Sequence, residues 1–101
     1  MGMIKSAKES GKAVDLRSKS LSGVDLSKLD LSEAKLSRAN LKGANLSKAN
    51  LERADLSDAN LEGANLTDAN LAFAKLDRAN FKKTNLTGVD LSKVDMDNVK
   101  D

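Results

Sequence analysis

From Leu16 to Met96 an apolar residue recurs at every fifth position, seventeen times without an exception. Thirteen consecutive leucines, Leu16 through Leu76, are followed by Phe81, Leu86, Leu91 and Met96. This period suits neither regular element. Around an α-helix successive leucines would step by about 140° and form no stripe, and a flat strand alternates every second residue. A chain that turns one corner per repeat does satisfy it, sending the same side chain inward each time. The position two residues before each leucine agrees with that reading: it is alanine ten times running, Ala34 to Ala79, and Val14, Val24, Leu29, Val89, Val94 or Val99 nearer the ends. Between these two, fourteen of seventeen residues are Asn or Asp, the others being Ser20, Lys35 and Lys75. Asn, Asp, Gly and Ser supply turn chemistry because they tolerate positive φ or hydrogen-bond their own backbone.

The charges say how many repeats close one coil. Outward residues of successive coils stack directly, so like charges at the coil separation would repel. Twenty residues apart there are ten opposite-charge pairs and two like-charge pairs, Lys28 with Lys48 and Asp77 with Asp97. Fifteen residues apart the numbers are five and four. Twenty-five apart, like-charge pairs predominate. The complementary columns are Asp15, Lys35, Asp55, Lys75, Asp95, with Arg38, Asp58, Arg78, and Lys42, Glu62, Lys82. Four five-residue repeats per coil follow.

Runs such as Ala39-Asn40-Leu41-Lys42-Gly43 and Ala54-Asp55-Leu56-Ser57-Asp58 match the motif A(D/N)LXX. Over roughly four-fifths of its length the chain resembles the pentapeptide-repeat family. The resemblance implies an all-β fold, a right-handed quadrilateral β-helix (solenoid) with four pentapeptide repeats per coil and about four coils. Leucines would fill the interior and alanines the tight corners. Residues 14–101 are assigned to the β-helix and 1–13 to an N-terminal cap or tag-derived segment, a short helix or loop over the end of the core with Ile4, Ala7 and Val14 as the apolar content. Met1-Gly2-Met3 resembles an expression scar, and the regularity of the repeats fits an engineered chain or a fragment of a larger protein. Lys19 falls on an inward small-residue position, which predicts an irregular first coil.

Composition removes several function classes. Seventeen Lys plus Arg against fifteen Asp plus Glu leave a formal charge of +2, too little to steer nucleic acid or an acidic membrane. With neither His nor Cys the commonest ligands of zinc, copper and iron are missing, and no serine has an imidazole to activate it. Carboxylates alternate with cations on open faces, and no GxxxxGK or GxGxxG loop is present; Gly23, Gly43 and Gly63 recur as corner residues. The reading is therefore no enzyme, no cofactor, no metal, no nucleic acid and no membrane contact. Without a signal peptide or an apolar span the default location is the cytoplasm.

Function then belongs to the surface and the ends. Phe73 is the aromatic residue at an outward position, placed by the twenty-residue column between Arg53 and Lys93, and these three form a candidate interaction surface. Val89, Val94, Met96 and Val99 carry larger apolar groups into the last coil and form a candidate end-to-end contact for a homodimer. Ser27, Ser47, Thr67 and Thr87 stack beside Asp25, Asn45, Asn65 and Asn85, a ladder of the type used to bind ice, although Lys28, Lys48 and Asp68 share that face. The family resemblance also implies a further reading, a DNA mimic that binds DNA gyrase. Alternating charges oppose it. The expectation is a non-catalytic structural or interaction (scaffold) module with a protein partner.

Overall fold

Each repeat closes a tight turn that starts on its leucine. The structure, a computed structural model, describes residues 13–100. In the repeat Ala54–Asp58 the N–H of the next alanine, Ala59, bonds the Leu56 carbonyl at 3.0 Å, and the same three-residue closure recurs along the chain. The third turn residue, two after the leucine, is left-handed from Ser18 to Gly88, with φ between 58° and 78°. Four of these positions are Gly23, Gly43, Gly63 and Gly88; the others carry Ser, Asp, Glu, Lys, Arg or Phe, never a β-branched residue. Branching at Cβ would aggravate the clash that disfavours this region.

Of the two roles expected of the Asn or Asp before each leucine, positive φ or a bond to the local backbone, it fills the second. Its side-chain oxygen accepts the N–H of the residue after the leucine, for example Glu62 to Asn60 at 3.0 Å and Ser57 to Asp55 at 3.0 Å. All fourteen Asn and Asp residues at this position do so, from Asp15 to Asp95. That N–H points out of the coil and meets no other backbone acceptor. The repeat thus needs an acceptor at this place to complete its hydrogen bonding.

Coils stack with a shift of twenty residues. Parallel bridges join Asp15 to Lys35, Lys35 to Asp55 and Asp55 to Lys75, with equivalent series starting at Ser20, Asp25 and Asp30. One coil therefore holds four repeats and four turns, the register read from the charges. Each repeat makes three bonds to the next coil: Leu36 N–H to Asp55 O at 2.8 Å, Arg38 N–H to Ser57 O at 2.9 Å, and Asp55 N–H back to Ala34 O at 2.9 Å. With the turn closure and the Asn/Asp bond, every N–H of a repeat such as Ala54–Asp58 is paired.

The interior is a dry column. Leu26 through Leu66 and the alanines between them are buried, and among the described residues no buried side chain is polar. Each leucine contributes about 1.5–3 kcal/mol of burial that a lone repeat could not realise. Phe81 fills the leucine position at the lower end of one column and is 4% exposed. Thr84 replaces an alanine and satisfies its hydroxyl by donating to the Leu61 carbonyl at 2.6 Å. Lys19 does not disturb the first coil as expected: Ser18 keeps φ at 60°, Lys19 O accepts from Asn40 N–H at 2.9 Å, and the lysine side chain is exposed. The backbone pattern needs no inward side chain there. Of the segment 1–13, all but Ala13 lies outside the described residues. No helix among the described residues is long and apolar enough to cross a membrane.

Candidate functional site

One side of the coil stacks Glu33, Arg53, Phe73 and Lys93 at the third turn position of repeats 29–33, 49–53, 69–73 and 89–93. The structure brings together the three residues singled out from the sequence. Arg53 Cζ lies 5.3 Å and Lys93 Nζ 5.8 Å from the centroid of the Phe73 ring, so a cation stands on either side of it. Phe73 is 52% exposed, the one large exposed apolar side chain among the described residues, and its φ is 60°. A bulky residue there bears a left-handed backbone, on the order of 1–2 kcal/mol, besides its solvent exposure. Cation–π contact at an exposed site returns about 0.5–1 kcal/mol. Arg53 is also held by Glu52, Nη1 to Oε2 at 3.1 Å; Lys93 forms no ion pair among the described residues.

Sequence reasoning missed what lies beside the ring. Between repeats 69–73 and 89–93 the ladder opens, as it does between 74–78 and 94–98, where no Lys75–Asp95 bridge forms and Leu76 N–H and Asp95 N–H lack backbone partners. The bridge from Asn70 to Asp90 is not formed, and neither Leu71 N–H nor Asp90 N–H has a partner, whereas on the preceding side Asn85 N–H to Ala64 O and Leu66 N–H to Asn85 O are intact at 2.9 and 2.8 Å. Phe73 N–H has moved on by one residue to bond Lys93 O at 3.0 Å, where Arg53 N–H bonds Ala72 O in the regular manner. The cause is a change of turn. Lys93 and Asn98 lack the positive φ of all earlier third positions, although Val94 N–H to Leu91 O and Val99 N–H to Met96 O still close the turns at 3.2 Å. Keeping negative φ at both central residues reverses the central peptide, so the Ser92 carbonyl turns away from Phe73. An open depression of about 410 Å³ results, lined by Glu52, Asn70, Leu71, Phe73, Asp90 and Lys93 with Ala69, Ala72 and Gly88.

The second candidate surface lies on the last coil. Leu86, Val89, Val94, Met96 and Val99 are partly buried and pack against the core, and with the half-buried Leu91 they leave a half-covered apolar rim. At the other end Val14 and Leu16 are buried, 0% and 5% exposed. Gly88, at φ 78°, is held under the Asp68 carboxylate, which occupies the space a Cβ would need.

The remaining faces are quieter. In the hydroxyl ladder Thr67 Oγ1 donates to Asn65 Oδ1 at 2.6 Å and Thr87 Oγ1 to Asn85 Oδ1 at 2.7 Å, the first on a half-buried and the second on an exposed surface. Along the charged columns two cross-coil ion pairs form among the described residues: Lys42 Nζ to Glu62 Oε1 at 3.4 Å and Arg78 Nε to Asp58 Oδ1 at 2.8 Å. The Asp15 to Asp95 column makes none, because its carboxylates are engaged locally. Hydrogen bonds from Arg17 hold Asp15 at about 2. For Asp55, burial works to raise the carboxyl, but bonds from Ser57 and the charge of Lys75 outweigh it and bring it below the usual range. The Arg78 guanidinium likewise depresses Asp58. No cluster of possible metal ligands occurs among the described residues.

Comparison with known proteins agrees with this architecture. The family model for pentapeptide repeats matches in eight copies, over residues 13–43, 34–71 and 64–100. The solved pentapeptide repeat protein alr5209 from Nostoc PCC 7120 superposes with a TM-score of 0.81 at 36% identity, over 88% of this chain and 73% of that one. HetL, a pentapeptide repeat protein involved in heterocyst differentiation regulation in Nostoc sp. strain PCC 7120, gives 0.79 at 42% identity, over 84% of this chain and 39% of HetL. Rfr23 from Cyanothece 51142 gives 0.66 at 39% identity, over 86% of this chain and 63% of Rfr23. No curated protein matches.

Proposed function

This chain belongs to the pentapeptide repeat family, and from that premise we propose that it is a non-catalytic interaction module: a right-handed quadrilateral rod, residues 14–101, that presents a protein-docking face around Phe73. The observation that carries this reading is the Phe73 site itself. An exposed aromatic flanked by Arg53 and Lys93 and beside a depression has the make-up of an interface anchor. Aromatic and arginine side chains are the usual anchors of protein interfaces. A photo-crosslinking phenylalanine analogue placed at Phe73 in the native host should give adducts of discrete mass, whereas the same analogue at Lys48, on another side of the coil, should not. Equal labelling at both positions, or none at Phe73, would refute the docking face.

A second surface supports association with another copy of this chain, because the apolar rim of Val89, Val94, Met96 and Val99 is only partly covered. Binding to DNA gyrase as a DNA mimic has less support. An acidic surface resembling a phosphate backbone is required, and here Lys42, Lys48, Arg78 and Lys93 interrupt the carboxylates on every side. A supercoiling assay should show neither inhibition nor protection of the enzyme. Ice binding is disfavoured because the Thr67 and Thr87 hydroxyl protons are already donated to Asn65 and Asn85 and because Lys28, Lys48 and Asp68 charge the same face.

A further inference from the structure

Charge is not spread evenly around the coil. Bridges from Ser20 to Asn40, Asn40 to Asn60 and Asn80 to Lys100 mark one side of the rod. Counted with both its corners, that side carries Lys19, Arg38, Lys42, Arg78, Lys82, Lys83 and Lys100 against two carboxylates, Asp58 and Glu62. No other side, counted in the same way, has an excess of more than one charge. Both carboxylates are already taken: Asp58 accepts from Arg78 Nε at 2.8 Å, and Glu62 pairs with Lys42 at 3.4 Å. Arg38, Lys82, Lys83 and Lys100 are exposed and form no ion pair among the described residues. Three of the four stand together at the lower end. Phe81 N–H bonds Lys100 O at 2.6 Å, which sets Lys100 one rung below Asn80 and beside the chain that carries Lys82 and Lys83. Gly23, Gly43 and Gly63 leave the corner above Lys83 bare, a Cβ at each meeting nothing within 4 Å, so no side chain screens the cations from that direction. We propose that this side binds an acidic segment of a partner protein, whose carboxylates meet Lys82, Lys83 and Lys100.

This surface goes beyond the Phe73 face, which lies on another side of the coil, and does not depend on it. A protein segment fits the cations better than a nucleic acid does. Proteins that hold single-stranded nucleic acid combine cations with aromatic platforms for the bases, and this side offers none, because Phe81 is buried and Phe73 stands elsewhere. A line of phosphates along the rod would also run past Asp58 and Glu62 in the middle coil, whereas a protein segment can set neutral residues opposite them. Two rungs of about 4.8 Å separate the level of Lys42 from that of Lys82, and acidic residues three apart in an extended segment cover the same ~10 Å.

The test is an amide NMR titration of the full chain with a capped peptide, acetyl-Glu-Asp-Gly-Ser-Asp-Glu-amide, a counterpart with lysine at the four acidic positions, and a short oligothymidylate of equal charge. Saturable shifts at Gly63, Lys82, Lys83 and Lys100 are expected at millimolar acidic peptide, as for a few exposed ion pairs, and binding should weaken several-fold when salt is raised from about 50 to about 500 mM. The lysine peptide should cause none of these shifts. Lys82→Ser combined with Lys83→Ser should weaken binding about fivefold or more at an unchanged melting temperature, because Ser22 holds the place of Lys82 in the first coil and Ser18 takes the turn position of Lys83 at φ 60°. Phe73→Ala should bind the acidic peptide as the parent chain does. No saturable shift, shifts spread over all sides of the coil, or equal binding by the double serine variant would overturn the inference. Tighter binding of the oligothymidylate at the same residues would overturn it in favour of nucleic acid, and loss of binding in Phe73→Ala would overturn the separation of the two faces. Crosslinking at Phe73 decides the other face independently.

Discussion

Among single residues, the Asn and Asp before each leucine carry a cost that is easy to isolate. Asn60 accepts the Glu62 N–H at 3.0 Å on a half-buried surface, and that N–H has no other acceptor. Asn60→Ala should therefore destabilise the fold by about 1–3 kcal/mol in urea denaturation, whereas Asn60→Asp, which keeps the acceptor, should stay within about 0.5 kcal/mol. Equal losses for the two would mean that the side-chain oxygen is not what the position requires. The glycines permit a second isolation. At Gly63 an added Cβ meets open space, so Gly63→Ala bears only the left-handed backbone, about 1 kcal/mol. At Gly88 an added Cβ would meet the carboxylate end of the exposed Asp68 side chain, which can turn aside, so Gly88→Ala should cost about the same as Gly63→Ala. Asp68→Ala in the same chain should alter that cost little, and a thermal-melt double-mutant cycle should show a coupling near zero. The sequence displayed both residue types, but the task of each was only half legible. Backbone bonding by Asn and Asp was expected and found; the positive φ was located at another position, one that lysine and arginine fill as readily as glycine. Long unbranched side chains on a left-handed backbone leave no pattern that composition alone would reveal.

At the level of the repeat and the coil, stability follows the neighbours on either side. Leu56 is fully buried with a coil above and below it, and Met96 is only partly buried on the last coil. Leu56→Ala should cost about 2–5 kcal/mol and Met96→Ala considerably less, measured by denaturant midpoints at equal slope. Comparable losses would contradict a stack whose energy is a sum over adjacent repeats. The coil length was readable from the charges because each column repeats at the spacing of the bridges, as in Lys42 with Glu62 and Asp58 with Arg78. The turn change after Gly88 was not readable. Repeats 89–93 and 94–98 carry the same apolar and Asx pattern as the rest, Asp90 and Asp95 bond Ser92 and Asp97 in the regular way, and only the orientation of one peptide in each turn differs. A turn with positive φ at its third residue ordinarily selects Gly or Asn there, but this chain fills that place with Lys and Arg as well, so Lys93 and Asn98 carry no mark of the change.

For the whole molecule, the solution behaviour follows from the charges it lacks and the edge it offers. The chain contains no histidine, so stability should be flat between about pH 5 and pH 8. Asp15, Asp25, Asp55, Asp58 and Asp90 are all held below the ordinary carboxylate value. A depressed carboxyl contributes stability that is present above its unfolded value, about 3.9, and is lost as pH falls through its folded value. Melting temperature should thus decline only below about pH 4, and a decline beginning near neutrality would contradict these assignments. The last coil, finally, offers an edge suited to a second copy. A regular repeat turns two N–H groups and one carbonyl toward the coil beneath it, as Leu36, Arg38 and Ala34 do, so a regular edge facing its own copy would leave donors unmatched. The reversed peptides of repeats 89–93 and 94–98 exchange a donor for an acceptor in each, which brings the edge near balance. Around it lie the half-covered Leu86, Val89, Leu91, Val94, Met96 and Val99, and a two-fold pairing buries such a rim against itself. Lys93, Asp95, Asp97 and Lys100 oppose this by charging the margin, so a weak, concentration-dependent dimer is expected. Sedimentation over about a hundredfold range of concentration should show the mass rising toward that of two chains, and Val94→Lys should return it to one with the melting curve preserved. A monomer mass throughout would show that the edge is sealed by its own charges.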